Sequence, residues 1–502
     1  MQENIAQALV MLLSVENFLY MFFGMLAGVI IGAIPGLTGA MAVTLILPFT
    51  FYMHPLPALL LLIAVYKGAL YGGAISAILI KTPGSASAAA TVLDGWPLAQ
   101  QGKGGKALHI ALLATCTADF IANLALIFFA GMIAAFALRF GPPEFFMLIC
   151  FSLTVVATLS SGAFFKGLIS ACIGLFLATI GLDLVYGTNR LTFGSVEMMS
   201  GISFIPLLIG LFAIPEVLKA CTGRLPKQQQ TAITISGSGD NDRATWADYK
   251  HSFKAILRGS FIGVIFGAIP GVGPAPAAFM AYNEARRMSP NRLNFGKGEL
   301  EGVAAPEASN SACGGACLIP MLSLGVPGDV VTAVMLGAFM IHNLTPGPLL
   351  FQDNIVIIYA LYFGLMISSV FLYITGVACV RSFAKISKVP KSILYPSILL
   401  ICCYGAFSIN NSMFDVLVMA ILGVVGYGLS LLRFPEAPML VAFVLAPLFE
   451  NNLRRSLLIS HGSPKIFFSS AVCWVFFFLT VLSIAYTVYA MLRDRRAAQL
   501  AN

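Results

Sequence analysis

The sequence reads as an all-α polytopic membrane protein with about 12 transmembrane segments. It divides into two inverted-topology repeats whose helices are broken by Pro-Gly turns or folded into re-entrant hairpins. Three observations lead there: a composition too apolar for water, recurring apolar runs, and a motif that occurs twice. Of 502 residues, 59% are hydrophobic and only 10% are charged, and mean hydropathy is +0.90. Soluble chains carry about 25% charged residues, so this one cannot cover a surface that faces water.

Crossing a bilayer takes about 20 apolar residues. Candidate runs fall near 18–34, 57–80, 107–138, 144–160, 166–183 and 201–220, then near 256–270, 313–341, 354–380, 392–408, 414–432, 437–449 and 466–491. The N-terminus, MQENIAQALV, has neither a basic n-region nor a small-residue cleavage site. The first span is therefore expected to serve as the insertion signal. The net charge of +8 is explained by cytoplasmic loops under the positive-inside rule rather than by nucleic-acid binding. Arg286, Arg287, Arg292 and Lys297 fit this, as do Arg381, Lys385, Lys388 and Lys391 and the tail residues Arg493, Arg495 and Arg496. The ten cysteines lie mostly inside apolar segments; Cys313 and Cys317 are four apart and Cys402 and Cys403 adjacent. With no histidine at metal-ligand spacing, they read as small packing residues and not as a disulfide framework.

The expected organisation is a first membrane repeat (1–221), a polar connector (222–252), a second membrane repeat (253–465) and a C-terminal transmembrane helix with a basic tail (466–502). The connector is Gln-, Ser- and Gly-rich and lacks apolar periodicity. On either side of it, GMLAGVIIGAIPG at 24–36 matches GSFIGVIFGAIPG at 259–271 at nine of thirteen positions. YGGAISAILIKTPG at 71–84 echoes CGGACLIPMLSLGVPG at 313–328 with a two-residue register slip, pairing Gly73 with Gly315 and Gly95 with Gly337. A weaker echo pairs SGAF at 161–164 with YGAF at 404–407. Loop charge gives the hand of the repeat. The loop MHPLP is free of cations and its counterpart at 284–299 is basic, whereas QQGKGGKA at 100–107 is basic and HNLTPGPLLFQDN at 342–354 is not. Equivalent loops thus carry opposite bias and are expected on opposite sides. The stretch holding Glu450, Arg454, Arg455 and Lys465 falls on the outer side in this scheme.

Pro-Gly within an apolar run cannot be ordinary helix, because proline removes a donor and glycine permits non-helical dihedrals. In hydrocarbon the freed backbone groups need protein partners or a water-filled cavity. The breaks come as a set: Pro35-Gly36 followed by Leu37-Thr38, Pro83-Gly84 by Ser85-Ala86-Ser87, Pro270-Gly271 by Val272-Gly273, and Pro327-Gly328 by Asp329-Val330. A half-helix starting at each break would aim free N–H groups at a cavity, which suits a carboxylate. Carbonyls closing the preceding half-helix suit Na⁺. Ahead of the last break, Glu307, Ser309, Asn310 and Ser311 mark the entrance to a membrane segment. Asn310 offers both an acceptor and donors; Glu307 suits either a cation ligand or a helix cap.

Isolated charges in apolar runs have two readings. Lys67 and Lys81 suit attraction of an anionic substrate, with Asp119 balancing Lys67; the alternatives are snorkelling or a structural ion pair. His54, His109 and His342 are scattered and read as loop or helix-end residues rather than metal ligands. No GxxxxGK[ST], HExxH or GxSxG motif occurs, so ATP coupling within this chain and the corresponding enzyme classes are not indicated.

IGAIPGLTGAMAVTLILPFTF, YGGAISAILIKTPGSASAAATVLDGWPLAQQGKGGKAL, and above all EGVAAPEASNSACGGACLIPMLSLGVPGDVVTAVMLGA with LTPGP, carry a family resemblance. Over most of residues 20–465 the chain resembles the large membrane subunit of the tripartite tricarboxylate transporters. The resemblance implies a multi-pass carrier of the bacterial inner membrane, not an enzyme and without a cofactor. It implies two partners, a small membrane subunit of about four helices and a periplasmic solute-binding protein. It also implies uptake of a citrate-like or other carboxylate driven by Na⁺ or H⁺. The family's turns fall on Pro35-Gly36, Thr82-Pro83-Gly84, Pro270-Gly271 and Pro327-Gly328, and its polar segment on Glu307 to Ser311. Where the family pattern often has Asn before TPG, Ala-Asn-Asn after PEA and Tyr in DGYP, this chain has Lys81, Ser309-Asn310-Ser311 and Trp96. Alternating access is the expected mechanism, with re-entrant hairpins favouring an elevator. An uncoupled anion channel and a membrane scaffold or receptor partner are the alternatives.

Overall fold

The computed structural model describes residues 2–159, 164–183, 186–222, 243–380 and 391–501. Residues 223–242 of the expected connector, the echo at 161–163 and the basic positions Arg381, Lys385 and Lys388 fall outside the described residues. The chain is almost wholly helical. In the first half, α1 (Gln2–Leu12), α2 (Val15–Ala33), α3 (Gly39–Thr50), α4 (Pro55–Ile80), α5 (Ala89–Gln100) and α6 (Gly104–Ala137) precede α7 (Pro142–Leu159), α8 (Phe164–Ala178) and α9 (Phe204–Cys221). Between α8 and α9 lies one antiparallel two-stranded ribbon, Gly181–Leu182 with Asn189–Arg190.

The second half opens with α10 (Trp246–Ala268), α11 (Pro274–Met288), α12 (Glu301–Ala316), α13 (Leu318–Leu324), α14 (Val330–Ile341) and the single turn α15 (Leu350–Asp353). It continues with α16 (Ile355–Val380), α17 (Lys391–Asn410), α18 (Met413–Leu431), α19 (Glu436–Ile459) and α20 (Ala471–Ala501). Eight of these are long and apolar enough to cross a membrane: α2, α4, α6, α9, α16, α17, α18 and α20. With this composition they make the chain a multi-pass membrane protein. Each Pro-Gly falls between two helices, and the helix after it has only 12 to 15 residues. At 1.5 Å per residue such helices reach about 18–23 Å, short of a bilayer's hydrocarbon core.

Glycine decides how the first helices of each half pack. A Cβ on Gly24 of α2 would lie 2.7 Å from the Leu61 carbonyl oxygen of α4, and one on Gly72 of α4 would lie 2.5 Å from that of Val29. The backbones therefore touch, as small-xxx-small faces allow. In the second half, Cβ atoms on Gly259 and Gly267 of α10 would lie 2.5 Å from the carbonyl oxygens of Ala305 and Cys313 in α12. A Cβ on Gly32 would likewise meet the Ala69 carbonyl oxygen, so Leu61 corresponds to Ala305 and Ala69 to Cys313, an offset of 244 (305 − 61 = 313 − 69). The breaks keep that offset: Gly84 packs beside Gly73, and Gly328 beside Cys317. Packing therefore matches Gly73 to Cys317, two residues beyond the Gly315 that the sequence motif suggests.

Both central helices are buried on all sides, α4 from Leu56 to Ile80 and α12 along its whole length. For α4 this follows from its uniformly apolar sequence. α12 is different, since it takes Glu301, Glu307, Ser309, Asn310 and Ser311 into the interior. The polar segment expected at the entrance to a span is itself the interior helix.

Candidate functional site

Four helices begin next to one another, each just after a Pro-Gly break. Thr38 caps α3 by accepting from the Met41 N–H at 3.3 Å. Asp329 caps α14 through a reciprocal box: it accepts from the Thr332 N–H, and its own N–H donates to the Thr332 hydroxyl, both at 2.8 Å. The other two starts lack a side-chain cap on their first turn. α11 begins at Gly273, whose dihedrals (φ 70°, ψ 177°) only glycine adopts readily, followed by Pro274 at its first position. α5 begins after Ser85 and Ser87, whose hydroxyls lie 2.9 Å apart; its cap Ala88 has no capping side chain of its own, and the Ala88 N–H donates to the Ser85 hydroxyl at 3.3 Å.

The breaks are joined directly. The Gly271 N–H donates to the Gly328 carbonyl at 2.9 Å. A Cβ on Gly273 would lie 3.5 Å from that of Asp329. The Tyr66 hydroxyl of α4 donates to Asp329 Oδ2 at 2.6 Å. Together these elements enclose a cavity of about 340 Å³, lined by Thr38, Tyr66, Ser85, Ser87, Gly271 to Ala275 and Asp329 to Val331. The lining is completed by Val156 of α7, Phe212 and Glu216 of α9, and Glu436, Ala437 and Val441 of α19. The size suits a small ligand, at the lower end of the roughly 300–1,000 Å³ usual for such sites. The charged residues of its lining are all acidic: Glu216, Asp329 and Glu436. Lys219 reaches Glu216 at 2.8 Å without joining the lining.

Residues singled out at and after all four breaks line this cavity: Thr38, Ser85 to Ser87, Gly271 to Gly273, and Asp329 with Val330. Pro35, Gly36, Leu37, Thr82, Pro83, Gly84, Pro270, Pro327 and Gly328 shape the turns without lining it. Lys67 is elsewhere, buried between α4, α6 and α16. Its ammonium donates to Asp119 Oδ2 (2.9 Å), the Ser368 hydroxyl (2.9 Å), the Leu365 carbonyl (3.1 Å) and Asn123 Oδ1 (3.3 Å), so the ion-pair alternative describes it. Lys81 is the left-handed residue (φ 57°) that ends α4, and its side chain is exposed.

Glu307, Ser309 and Asn310 also lie away from the cavity lining. Glu307 Oε1 accepts from the Thr91 hydroxyl of α5, while Glu307 Oε2, Ser309 Oγ and Asn310 Oδ1 are buried without a hydrogen-bond partner. A second polar knot joins the halves. Asp94 Oδ1 accepts the N–H groups of Gly296, Gly298 and Glu299 at 2.8–2.9 Å, and its Oδ2 accepts from the Tyr282 hydroxyl at 2.9 Å. Sequence reasoning missed Tyr66, Phe212, Glu216 and Glu436, none of which carried a local signal.

The model of the tripartite tricarboxylate transporter TctA family matches residues 18–441. A protein of Agrobacterium vitis, described as an uncharacterized 52.8 kDa protein in the TAR-I ttuC' 3' region, is 33% identical over 481 residues. That match covers 96% of this chain and 94% of the relative. A second from the same organism, described as an uncharacterized protein in the TAR-II ttuC' 3' region, is 32% identical over 234 residues, 47% of this chain and 97% of the relative. No solved structure matches the chain significantly. With a family match that spans both halves and all four breaks, the chain belongs to the tripartite tricarboxylate transporter TctA family.

Proposed function

We propose that this protein is the large membrane subunit of a tripartite, binding-protein-dependent carrier in a bacterial cytoplasmic membrane. It takes up a citrate-like tri- or dicarboxylate, driven by a Na⁺ or H⁺ gradient. The carrying observation is the cavity where the residues after all four breaks meet. The start of α11 has no side-chain cap and offers the Ala275 N–H to a carboxylate, beside the hydroxyls of Ser85 and Ser87. Glu216, Asp329 and Glu436 offer acceptors to a cation.

That acidic lining favours coupling over an uncoupled channel. Anion pores are lined by Arg or Lys rings, whereas here an anionic substrate enters a site that already carries negative charge. A cation or proton bound alongside removes that cost, which is the physical content of symport. A small membrane subunit of about four helices and a periplasmic solute-binding protein complete the carrier. The binding protein hands over the carboxylate, and access alternates around the breaks.

The two glycine-packed halves support a repeat, and the opposite charge bias of equivalent loops supports its inversion, with about 12 crossings. The basic stretch at 450–465 accords with an outer position, because Arg454 is paired with Asp183 and Glu450 at 2.7 Å and its charge is balanced locally. Thiol labelling of cysteines introduced at Pro55 and Pro290 tests the hand: labelling from the same side sinks the inversion. The function is tested by uptake of a labelled carboxylate panel into proteoliposomes, with and without a Na⁺ or pH gradient and the partner proteins. Gradient-dependent accumulation is expected; downhill flux alone would establish the channel.

A further inference from the structure

Away from the cavity, where α10 and α12 begin, three potential ligands converge. His251 of α10, Glu299 and Glu301 each present a ligand atom, and these atoms all lie within 4.8 Å of one another. His251 Nε2 is 3.2 Å from Glu299 Oε1. The residues stand 48 and 50 positions apart (299 − 251 and 301 − 251), so no sequence spacing announces them.

Their environment is incomplete without a cation. Glu299 is 9% exposed and Glu301 7%. Glu301 Oε2 is buried with no hydrogen-bond partner. Among the described residues neither glutamate pairs with a lysine or arginine, and the single ionic partner is His251. Two adjacent buried carboxylates repel and lose hydration, so they call for positive charge between them. The scaffold is held on both sides: Asp94 fixes the Glu299 N–H, and α10 starts at a Thr245–Asp248 capping box tied to Lys106 at 2.8 Å.

We propose that His251, Glu299 and Glu301 form a binding site for a divalent transition cation of the zinc or manganese type. An imidazole with two carboxylates suits such ions better than Ca²⁺ or Mg²⁺, which favour all-oxygen shells, or Cu(I), which favours sulfur. Ligand atoms around Zn²⁺ sit about 3.4 Å apart, and rotation of the exposed His251 ring supplies the closure. A bound ion fastens α10 to the loop that Asp94 already holds against α5, joining the two halves at that end.

The test is metal titration of the purified full-length chain, carrying a histidine-free tag, against a chromophoric Zn²⁺ chelator, with Mn²⁺ followed by electron paramagnetic resonance. Wild-type protein should take up one tight equivalent. H251A and E301Q should each weaken it by about tenfold or more, while E284Q, on the exposed Glu284–Arg287 pair, should not. His251 is exposed, so H251A is expected to fold, and size-exclusion profiles check this. No uptake by the wild type, or wild-type affinity retained in H251A and E301Q, overturns the site. The readout is binding, so neither result bears on carboxylate transport.

Discussion

Tyr66 holds Asp329 across the two halves of the chain: its hydroxyl donates a 2.6 Å hydrogen bond from the central helix α4 to the residue that opens α14. Asp329 keeps two further donors in Thr332, the N–H at 2.8 Å and the hydroxyl at 2.7 Å. Tyr66→Phe therefore removes one bond to a charged acceptor and leaves the cap. A loss of about 1.5–3 kcal/mol is expected, read as a lower thermal midpoint, together with a raised KM for uptake. An unchanged midpoint with unchanged KM would show that the contact is idle.

Asp329→Asn separates the cap from the charge. Asparagine caps a helix about as well as aspartate, so α14 should still form and the midpoint should move little. The cavity loses one of three carboxylates. If that charge accommodates the coupling cation, the apparent cation affinity in uptake assays should weaken about tenfold, or ~1.4 kcal/mol. Cation dependence identical to wild type would remove Asp329 from the coupling role.

Lys67 and Asp119 are 4% and 1% exposed, which makes the pair costly to split. Lys67→Met alone leaves a buried carboxylate whose other oxygen, Oδ1, already has no partner. Such single losses cost about 3–5 kcal/mol. Adding Asp119→Asn should recover much of that, because both charges then leave together. Equilibrium unfolding of the two single variants and the double closes the cycle; strictly additive effects would contradict a direct pair.

The punctuation of this fold was readable because Pro-Gly interrupts a helix wherever it falls, whatever packs around it. That is why Thr38, Ser85, Gly273 and Asp329 were found in advance, each one or two residues past a break. Glu216 and Glu436 were not, since their place opposite the breaks depends on how α9 and α19 pack. The polar run at 307–311 was visible, but composition does not tell which face of α12 each residue takes. Lys67 likewise showed only that a charge needed a partner. The register of the second motif slipped by two because glycines recur every few residues, and only the contacts of Gly24, Gly32, Gly259 and Gly267 fix it.

Gly328 is required for space. A Cβ there would sit 2.7 Å from both Cα and Cβ of Cys317. Gly328→Ala should therefore cost about 1–3 kcal/mol through overpacking and displace the adjoining Asp329, with uptake falling accordingly. Gly36 differs, having open space around it but φ of +93°. Its alanine variant should lose about 1–2 kcal/mol from the backbone alone. Thermal unfolding of both reads the two costs, and trimming Cys317 to alanine should relieve neither, because the clash at Gly328 is with Cα and Cβ, which alanine keeps.

Asp94 gives a graded series. One oxygen accepts three backbone N–H groups from the loop before α12, and the other accepts from Tyr282. Asparagine can keep an oxygen toward the loop and turn its amide to Tyr282, so Asp94→Asn loses mainly the charge. Asp94→Ala leaves three donors without their acceptor, and each unsatisfied group costs about 1–3 kcal/mol where water cannot replace the carboxylate. Amide hydrogen exchange at Gly296, Gly298 and Glu299 should accelerate modestly in the first variant and strongly in the second. Because the loop belongs to the second half and Asp94 to the first, α5 should loosen with it. Equal protection in all three proteins would mean that the loop is held by contacts other than Asp94.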